Sequence, residues 1–343
     1  MARKKVVVVG GTGYLGQHIL EAMKRENQRR RMNGDGGDGG EEMPWDLAFT
    51  HNRPIPPPEL IEAISPVQSF RVDLSSGEGF DAISATFGHP HIVINCAAIS
   101  VPRACEVDPA GAMATNVPTS LVDWLSRSTV AAATNHPYQS PCVTLLIHMS
   151  TDQVYEGLKS FYKEEDETVP VNMYGKSKLA GEDFVSRNYS NYAILRSSII
   201  YGQQTISPVT RSLFIQWIDA SLSSNKEVDF FYDEYRCPVY VKDLVDIILA
   251  LAKKYISDNK QLQLLLNVGG PNRVSRVQMA ETVASVRQHD ASLIKAVSAS
   301  SVNRGVISPP DISMDISKLV QTLCIAQIPF EEGVRLTLIN GPN

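Results

Sequence analysis

The chain has 343 residues, 43% of them hydrophobic and 20% charged, with a formal net charge of −5 and a pI near 5.8. That composition suits a globular protein with an ample core, built as one large or two coupled domains. The acidic balance favours neither nucleic acid nor an anionic membrane as partner, and the sequence has no apolar run of about 18 residues that would cross a bilayer.

MARKK leads directly into VVVVGG, an apolar stretch too short for a signal peptide. The chain is therefore read as cytosolic. Val6 to Val9 are four consecutive β-branched residues. Such a run predicts a strand buried on both faces, as in a parallel sheet. Gly10-Gly11-Thr12-Gly13-Tyr14-Leu15-Gly16 follows, and then the helical HILEAMKREN. Strand, glycine turn and helix in that order form a dinucleotide-binding pattern. Gly10, Gly13 and Gly16 permit the tight turn, and the backbone from Gly10 through Tyr14 and Leu15 meets a pyrophosphate at the helix N-terminus. The basic stretch from Lys24 to Arg31 reads as the C-terminal end of that helix, where the helix dipole favours cations.

Asn33 to Gly40 (NGDGGDGG) is low in complexity and reads as a flexible surface insertion, not a domain boundary. WDLAFT is a second strand. In NAD-binding proteins an acidic residue near its end bonds the ribose hydroxyls. Here the strand ends in Thr50-His51-Asn52-Arg53, with no acid. A basic residue there can hold a 2′-phosphate, so NADP(H) is favoured over NAD(H), with Arg53 as the candidate. SFRVDL is a third strand that ends at Asp73-Leu74, where adenine would lie. HIVINCAA is a fourth, and its small Ala97-Ala98 would let backbone approach the cofactor. A helix is expected from about Ala104, with Asn116 inside it. VTLLIHMSTD is a fifth strand closed by Ser150-Thr151-Asp152, at the carboxyl edge where open α/β sheets bind ligands.

Tyr174 and Lys178 stand four residues apart in PVNMYGKSKLAGE. At that spacing they share one face of a helix. An ammonium beside a phenol favours the phenolate and pulls its pKa down from about 10. A phenol so tuned can exchange a proton with a carbonyl or alcohol oxygen during hydride transfer. YAILRSSIIYG is read as a sixth strand. Beyond Gly202 the alternation loosens into SLFIQWIDASL (helix), VDFF (strand), a helix after Asp243, LLLNVGG (strand), VSRVQMAETVAS (helix), MDISKL and PFEEGVRLTL. The expected architecture is an α/β doubly wound Rossmann sheet over residues 1–202. Residues 203–343 are read mainly as a smaller substrate lobe, with crossover segments that return to the sheet. The five cysteines (Cys96, Cys105, Cys142, Cys237 and Cys324) show no C-x-x-C pair. Four lie in or beside apolar segments and read as buried reduced thiols. No metal site is expected.

GGTGYLG, NCAA, STDQVY, YGKSKLAGE and ILRSSIIYG fall in the order and approximate spacing of the extended short-chain dehydrogenase/reductase family, which the chain resembles over nearly its whole length. Within that family STDQVYEG, PVNMYGKSKLAGE, DEYRCPVYVKDL and LLNVGGPNRVSRVQMAETVA are most similar to the dTDP-4-dehydrorhamnose reductase branch. That branch also contains the regulatory beta subunit of methionine adenosyltransferase, which YRCPVYVKD and MDISKL resemble too. The resemblance implies that Thr151 bonds the substrate oxygen and Tyr174 is the acid/base. It implies that Lys178 holds the nicotinamide ribose and that Asn116 supports the lysine. Lys159 and Lys176 read as solvated.

Two departures concern the sugar site. Ile199 stands where these reductases commonly carry tryptophan. Ser308-Pro309-Pro310 replaces the Arg-Pro that usually precedes the final Asp-x-x-Lys, here Asp315 and Lys318. The loss of that arginine removes a natural phosphate partner. The resemblance thus implies an NADP(H)-dependent reductase acting on a nucleotide sugar. Its alternative is an NADP-binding regulatory subunit without turnover, partnered by a methionine adenosyltransferase catalytic subunit or by a second copy of itself. A dehydratase fits less well, because Gln153 follows Asp152 where those enzymes usually add acidic residues.

Overall fold

The computed structural model describes residues 3–32, 45–135, 143–209 and 213–339. The glycine-rich insertion and Cys142 lie outside the described residues. The chain opens with β1 (Lys4–Val9), α1 (Tyr14–Met32), β2 (Trp45–His51), α2 (Pro58–Ile64), β3 (Gln68–Arg71), α3 (Phe80–Thr86) and β4 (Ile92–Asn95). After α4 (Pro102–Val107), α5 (Pro109–Asn116) and α6 (Thr119–Asn135) come β5 (Leu145–Thr151), α7 (Met173–Asn188) and β6 (Tyr192–Ser197). The later part holds β7 (Ile200–Tyr201), α8 (Phe214–Ser223), β8 (Val228–Phe231), β9 (Tyr235–Arg236), β10 (Val239–Tyr240), α9 (Val241–Asp258) and β11 (Gln263–Val268). It ends with β12 (Val274–Ser275), α10 (Arg276–Arg287), β13 (Ile294–Val297), α11 (Ser317–Leu323) and α12 (Phe330–Leu338).

Seven strands form one parallel sheet in the order β11-β6-β5-β4-β1-β2-β3. The strand order reverses at β1, so the carboxyl ends of β1 and β4 flank a crevice. The valine run of β1 explains itself in this setting. Val6 and Val8 pack into one layer with α1 and α9, while Val7 and Val9 pack into the opposite layer with Trp124 and Leu125 of α6. Both faces are covered, so no polar position is needed. A third core sits under α8, α10 and α12, around Ile218, Met279, Val283 and Phe330. The segment from Val239 to Val268 leaves that region and rejoins the main sheet: α9 packs against the first layer and β11 extends the edge beside β6.

Two expected elements are divided. The helix placed from Ala104 is three helices, with prolines at the start of α4 and α5 and Pro118 just before α6. Proline lacks the amide that an interior turn needs and clashes with the preceding turn, so it sits at helix starts. Asp108 caps the α5 break, its Oδ1 accepting from the Gly111 amide at 2.9 Å. Asn116 is helical as expected, but as the last residue of the short α5 and not within one long helix. The sixth strand stops at Ser197, and Ile200–Tyr201 pairs instead with Val239–Tyr240 in a separate ribbon. Among the described cysteines, Cys105 and Cys237 are buried, Cys96 is half-buried and Cys324 is exposed. No described helix is long and apolar enough to cross a membrane.

A buried ion pair ties α7 to the sheet. Arg196 on β6 donates from Nη2 to Glu182 Oε2 at 2.7 Å and from Nε to both carboxylate oxygens at 3.1 Å. Both side chains are only 5% exposed. Ser150 on β5 donates its hydroxyl to the same carboxylate. Arg196 Nη1 also donates to the Tyr155 hydroxyl at 2.9 Å, which in turn donates to Asn267 on β11 at 2.8 Å. Replacing Glu182 with Ala leaves a buried guanidinium without its anion and should lower unfolding free energy by about 3–5 kcal/mol. Glu182→Leu combined with Arg196→Met should lose much less. Urea unfolding of the single and double variants measures this, and additive losses would contradict the pairing.

Candidate active site at the carboxyl edge of the sheet

The glycine turn is held by its neighbours before any ligand arrives. Gly10 has φ +76, and a Cβ there would stand 2.9 Å from the Ala97 backbone. A Cβ on Gly16 would stand 2.5 Å from the Gly10 carbonyl. Both positions exclude a side chain, which is what lets α1 close onto the turn. The Gly11 amide donates to the Thr50 carbonyl at 3.0 Å, and the Gly10 amide to Thr50 Oγ1 at 3.2 Å. The end of β2 thus buttresses the turn. Leu15 is buried in the core, and the Tyr14 hydroxyl donates to the Gln203 carbonyl at 3.0 Å. These side chains serve packing, so what they offer an anion is backbone at the start of α1.

The other expected cofactor residues surround this crevice. Arg53 is exposed just beyond β2. Asp73 Oδ1 accepts from the Ser75 amide at 2.8 Å and its hydroxyl at 2.6 Å, and these bonds hold the carboxyl below its usual range. Leu74 packs against the second core layer. Ala97 and Ala98 follow β4, and the Ala97 amide donates to Asn95 Oδ1 at 3.2 Å.

Helix α7 carries the chemistry-bearing face. Asn172 caps it, accepting from the Gly175 amide at 2.9 Å, so Tyr174 lies in the first turn with Lys178 and Glu182 on successive turns. Thr151 ends β5 beside it. Its Oγ1 donates to Asp152 at 3.2 Å and accepts from the Gln153 amide at 3.2 Å. Lys178 is buried, with Nζ 3.5 Å from His148 Nε2. Desolvation pushes its ammonium down to about 8, against the pull of Glu182 and Cys96. Asn116 donates to the Ile99 carbonyl at 3.0 Å and to Ser177 Oγ at 2.8 Å, and accepts from the Ile99 amide at 2.8 Å. It joins the loop after β4 to α7, reaching the helix through Ser177.

Next to this face opens a cavity of about 410 Å³, bordered by Ser100, Gln153 and Asn172 on the sheet side. Arg103, Arg236, Arg276 and Arg304 line it, against the carboxylates of Asp229 and Glu234. Arg276 lies over Phe214 at 4.9 Å and Arg304 over Phe231 at 4.6 Å. Glu234 is buried between these two arginines, with N–O distances of 3.5 Å and 2.5 Å, which hold its carboxyl low despite burial. Arg236 is buried and donates to the Pro309 carbonyl at 2.9 Å, the Pro310 carbonyl at 3.2 Å and Ser308 Oγ at 3.1 Å. The segment where the expected arginine is missing is therefore an arginine's acceptor. Positive charge with aromatic faces suits an anionic ligand bearing a flat ring. Ile199 lines the same cavity.

His148, Glu182, Arg196, Arg103, Arg276 and Arg304 belong to the site's surroundings without a motif that marks them in the sequence. Arg196 inside an apolar strand was a signal, since a buried guanidinium needs a partner. Arg276 opens α10, where the helix dipole disfavours a cation. Arg304 sits in a loop and gave no sign.

The family model for the RmlD substrate binding domain matches residues 4–341. The chain belongs to this family. One relative, the methionine adenosyltransferase 2 subunit beta of Pongo abelii, is 28% identical over 98% of this chain and 87% of its own length. Another, the probable low-salt glycan biosynthesis reductase Agl14 of Haloferax volcanii, is 29% identical over 71% of this chain and 75% of its own. Among solved structures, dTDP-4-dehydrorhamnose reductase from Bacillus anthracis, in complex with NADP, superposes with a TM-score of 0.71 at 20% identity. It covers 99% of this chain and 100% of its own. The fold is thus the nicotinamide-dinucleotide-binding fold of the family's reductases, the extended short-chain dehydrogenase/reductase architecture that the motifs imply.

Buried Lys178 makes a stability test of the site. Its folded value of about 8 lies below the ordinary 10.5, so the folded chain releases this proton first. Between those two pH values the unfolded chain binds a proton that the folded chain lacks, and stability rises with pH. Below about pH 8 the penalty is fully present. Lys178→Met should therefore stabilise the ligand-free protein at pH 7 by about 3 kcal/mol and flatten the rise. Urea unfolding at pH 7 and pH 10 measures both effects. A less stable variant at pH 7 would contradict this account of the lysine.

Proposed function

We propose that this chain binds NADP(H) across the Gly10–Gly16 turn and reduces a keto group of a nucleotide-linked sugar in the cytosol. One observation supports the reading: Tyr174 and Lys178 stand four residues apart on α7, whose cap residue Asn172 borders the arginine-lined cavity. The turn suits a dinucleotide, because bare glycines at 10 and 16 let α1 close onto the strand end, which brings the backbone at the helix N-terminus within reach of a pyrophosphate. In this reading residues 1–202 hold the cofactor and residues 203–343 mainly the substrate. Arg53 faces the 2′-phosphate, Asp73 and Leu74 border the adenine, and Ala97 and Ala98 let the backbone approach.

A nicotinamide held there would supply the hydride that the carbonyl carbon accepts. Thr151 Oγ1 donates to the carbonyl oxygen and orients it. Tyr174 transfers its phenolic proton to that oxygen, so the product is an alcohol. Lys178 holds the ribose and favours the phenolate that remains. Asn116 fixes the start of α7 against the loop after β4. Arg276 and Arg304 bind the substrate's phosphates, a task the Ser308–Pro310 segment cannot perform.

A second reading is favoured by the relative from Pongo abelii, a methionine adenosyltransferase subunit that aligns with 98% of this chain. There the chain would hold NADP(H) as a structural ligand and dock on a methionine adenosyltransferase catalytic subunit, since a fold does not fix an activity.

Tyr174→Phe distinguishes the two. It should retain NADPH affinity and lose about 10²–10⁴-fold in turnover on 4-keto sugar nucleotides. Variant turnover equal to wild type would refute the acid/base role. Tight NADPH binding without turnover on any keto sugar nucleotide, together with co-elution with the catalytic subunit, would establish the second reading.

A further inference from the structure

His148 stands at the centre of a buried polar chain that the functional reading does not use. It is fully buried on β5, two residues before Ser150. Residues two apart on a strand share a face. That face meets α7, with Ser150 against Glu182 and His148 against Lys178. Gly181 makes room for the end of α5 beside the ring: a Cβ there would lie 2.7 Å from the Asn116 carbonyl and in ordinary contact, at 3.4 Å, with His148 Nε2.

The chain of contacts has a direction. The Ala97 amide is a donor without ambiguity, and it meets Asn95 Oδ1 at 3.2 Å. The other end of that side chain, Nδ2, is also a donor, and it meets His148 Nδ1 at 3.1 Å. Nδ1 must then accept, which leaves the ring proton of a neutral imidazole on Nε2. Nε2 faces Lys178 Nζ at 3.5 Å. An N–H can point at an amine lone pair but not at an ammonium. The observed arrangement therefore belongs to the neutral amine. When Lys178 carries its proton, Nε2 must accept, Nδ1 must donate, and the Asn95 amide must turn its oxygen toward the ring. That turn removes the acceptor of the Ala97 amide, and Ala97 abuts Gly10 of the dinucleotide turn.

The remaining groups around the lysine leave His148 in this position. On α7, Tyr174 lies one turn before it and Glu182 one turn after, and Glu182 is engaged by Arg196 and Ser150. From the end of β4, Cys96 is a thiol that burial pushes up to about 12, so it stays neutral. From α5, Asn116 is uncharged and is bonded to Ile99 and Ser177. Burial and the lysine's charge together keep His148 itself from protonating.

We propose that His148 is a positioning residue whose tautomer switches with the charge of Lys178 and passes that charge state, through Asn95, to the Ala97 amide beside the glycine turn. Its consequence for reduction rests on the function proposed above. The switch itself does not.

The test uses the full-length protein without cofactor. Nitrogen-15 histidine spectra report which ring nitrogen bears the proton, and carbon-13 shifts at lysine Cε report the amine. His148→Gln identifies the His148 signals by their loss. Between pH 6 and 10 the wild-type His148 should pass from the Nδ1–H to the Nε2–H tautomer without becoming imidazolium, at the midpoint of Lys178. In His148→Gln the side-chain oxygen can accept from the ammonium, so the Lys178 midpoint should rise by about one pH unit, a tenfold gain in proton affinity. A single tautomer throughout the range, or an imidazolium, would overturn the proposal. So would a Lys178 midpoint unmoved in the variant. The wild-type titration stands whether or not the variant folds. Failure of NADPH to bind would count against the proposed function and leave the tautomer result intact.

Discussion

The seam between β5, β6 and α7 buries three charged side chains, and the geometry of the site depends on how they are accommodated. Glu182 and Arg196 answer each other with three short N–O contacts and are further held by Ser150 and Tyr155. A buried pair that is fully hydrogen-bonded fixes register even where its net contribution to stability is small. Here it fixes the height of α7 against the end of β5. Lys178, one turn earlier, has no carboxylate of its own within this seam. Beside it stand an imidazole and a thiol, and burial outweighs the pull of Glu182 one turn away, so burial dominates its proton affinity. The helix is pinned by the ion pair and presents an amine whose partner is the imidazole of His148. A buried amine so perturbed is the kind of group that functional sites carry.

The cavity beyond α7 shows why single motif positions are a poor guide to a ligand. The family's sugar-site tryptophan is Ile199, and the arginine before the final Asp-x-x-Lys is absent. Yet four arginines line the cavity against two carboxylates. Arg236 spends its donors on the Ser308–Pro310 backbone and so shapes the wall. Arg276 and Arg304 share Glu234 and lie over aromatic rings. The charge that the missing residue would bring is present, supplied from different elements.

The sheet was legible because its strands are buried on both faces. Val6–Val9 and the apolar core of HIVIN leave no alternation to misread, and the glycine turn has a steric reason at Gly10 and Gly16. Tyr174, Lys178 and Thr151 were legible because four-residue helical spacing and the carboxyl edge of a strand are local properties. What the sequence concealed is non-local. The prolines at 102, 109 and 118 divide a helix that apolar content alone made continuous. Ile200–Tyr201 leaves the sheet because its partner, Val239–Tyr240, lies some forty residues on. The meeting of His148 with Lys178 depends on the register of α7 over β5. No short-range pattern encodes it.

The proposed NADP(H) site is built from the glycine turn and the α7 face. Equilibrium titration of the purified chain with NADPH and with NADH, followed by nicotinamide fluorescence, tests it most directly. Saturable binding of one NADPH per chain is expected, with weaker binding of NADH because no acidic residue ends β2 and Arg53 stands there. No binding of either nucleotide would contradict it.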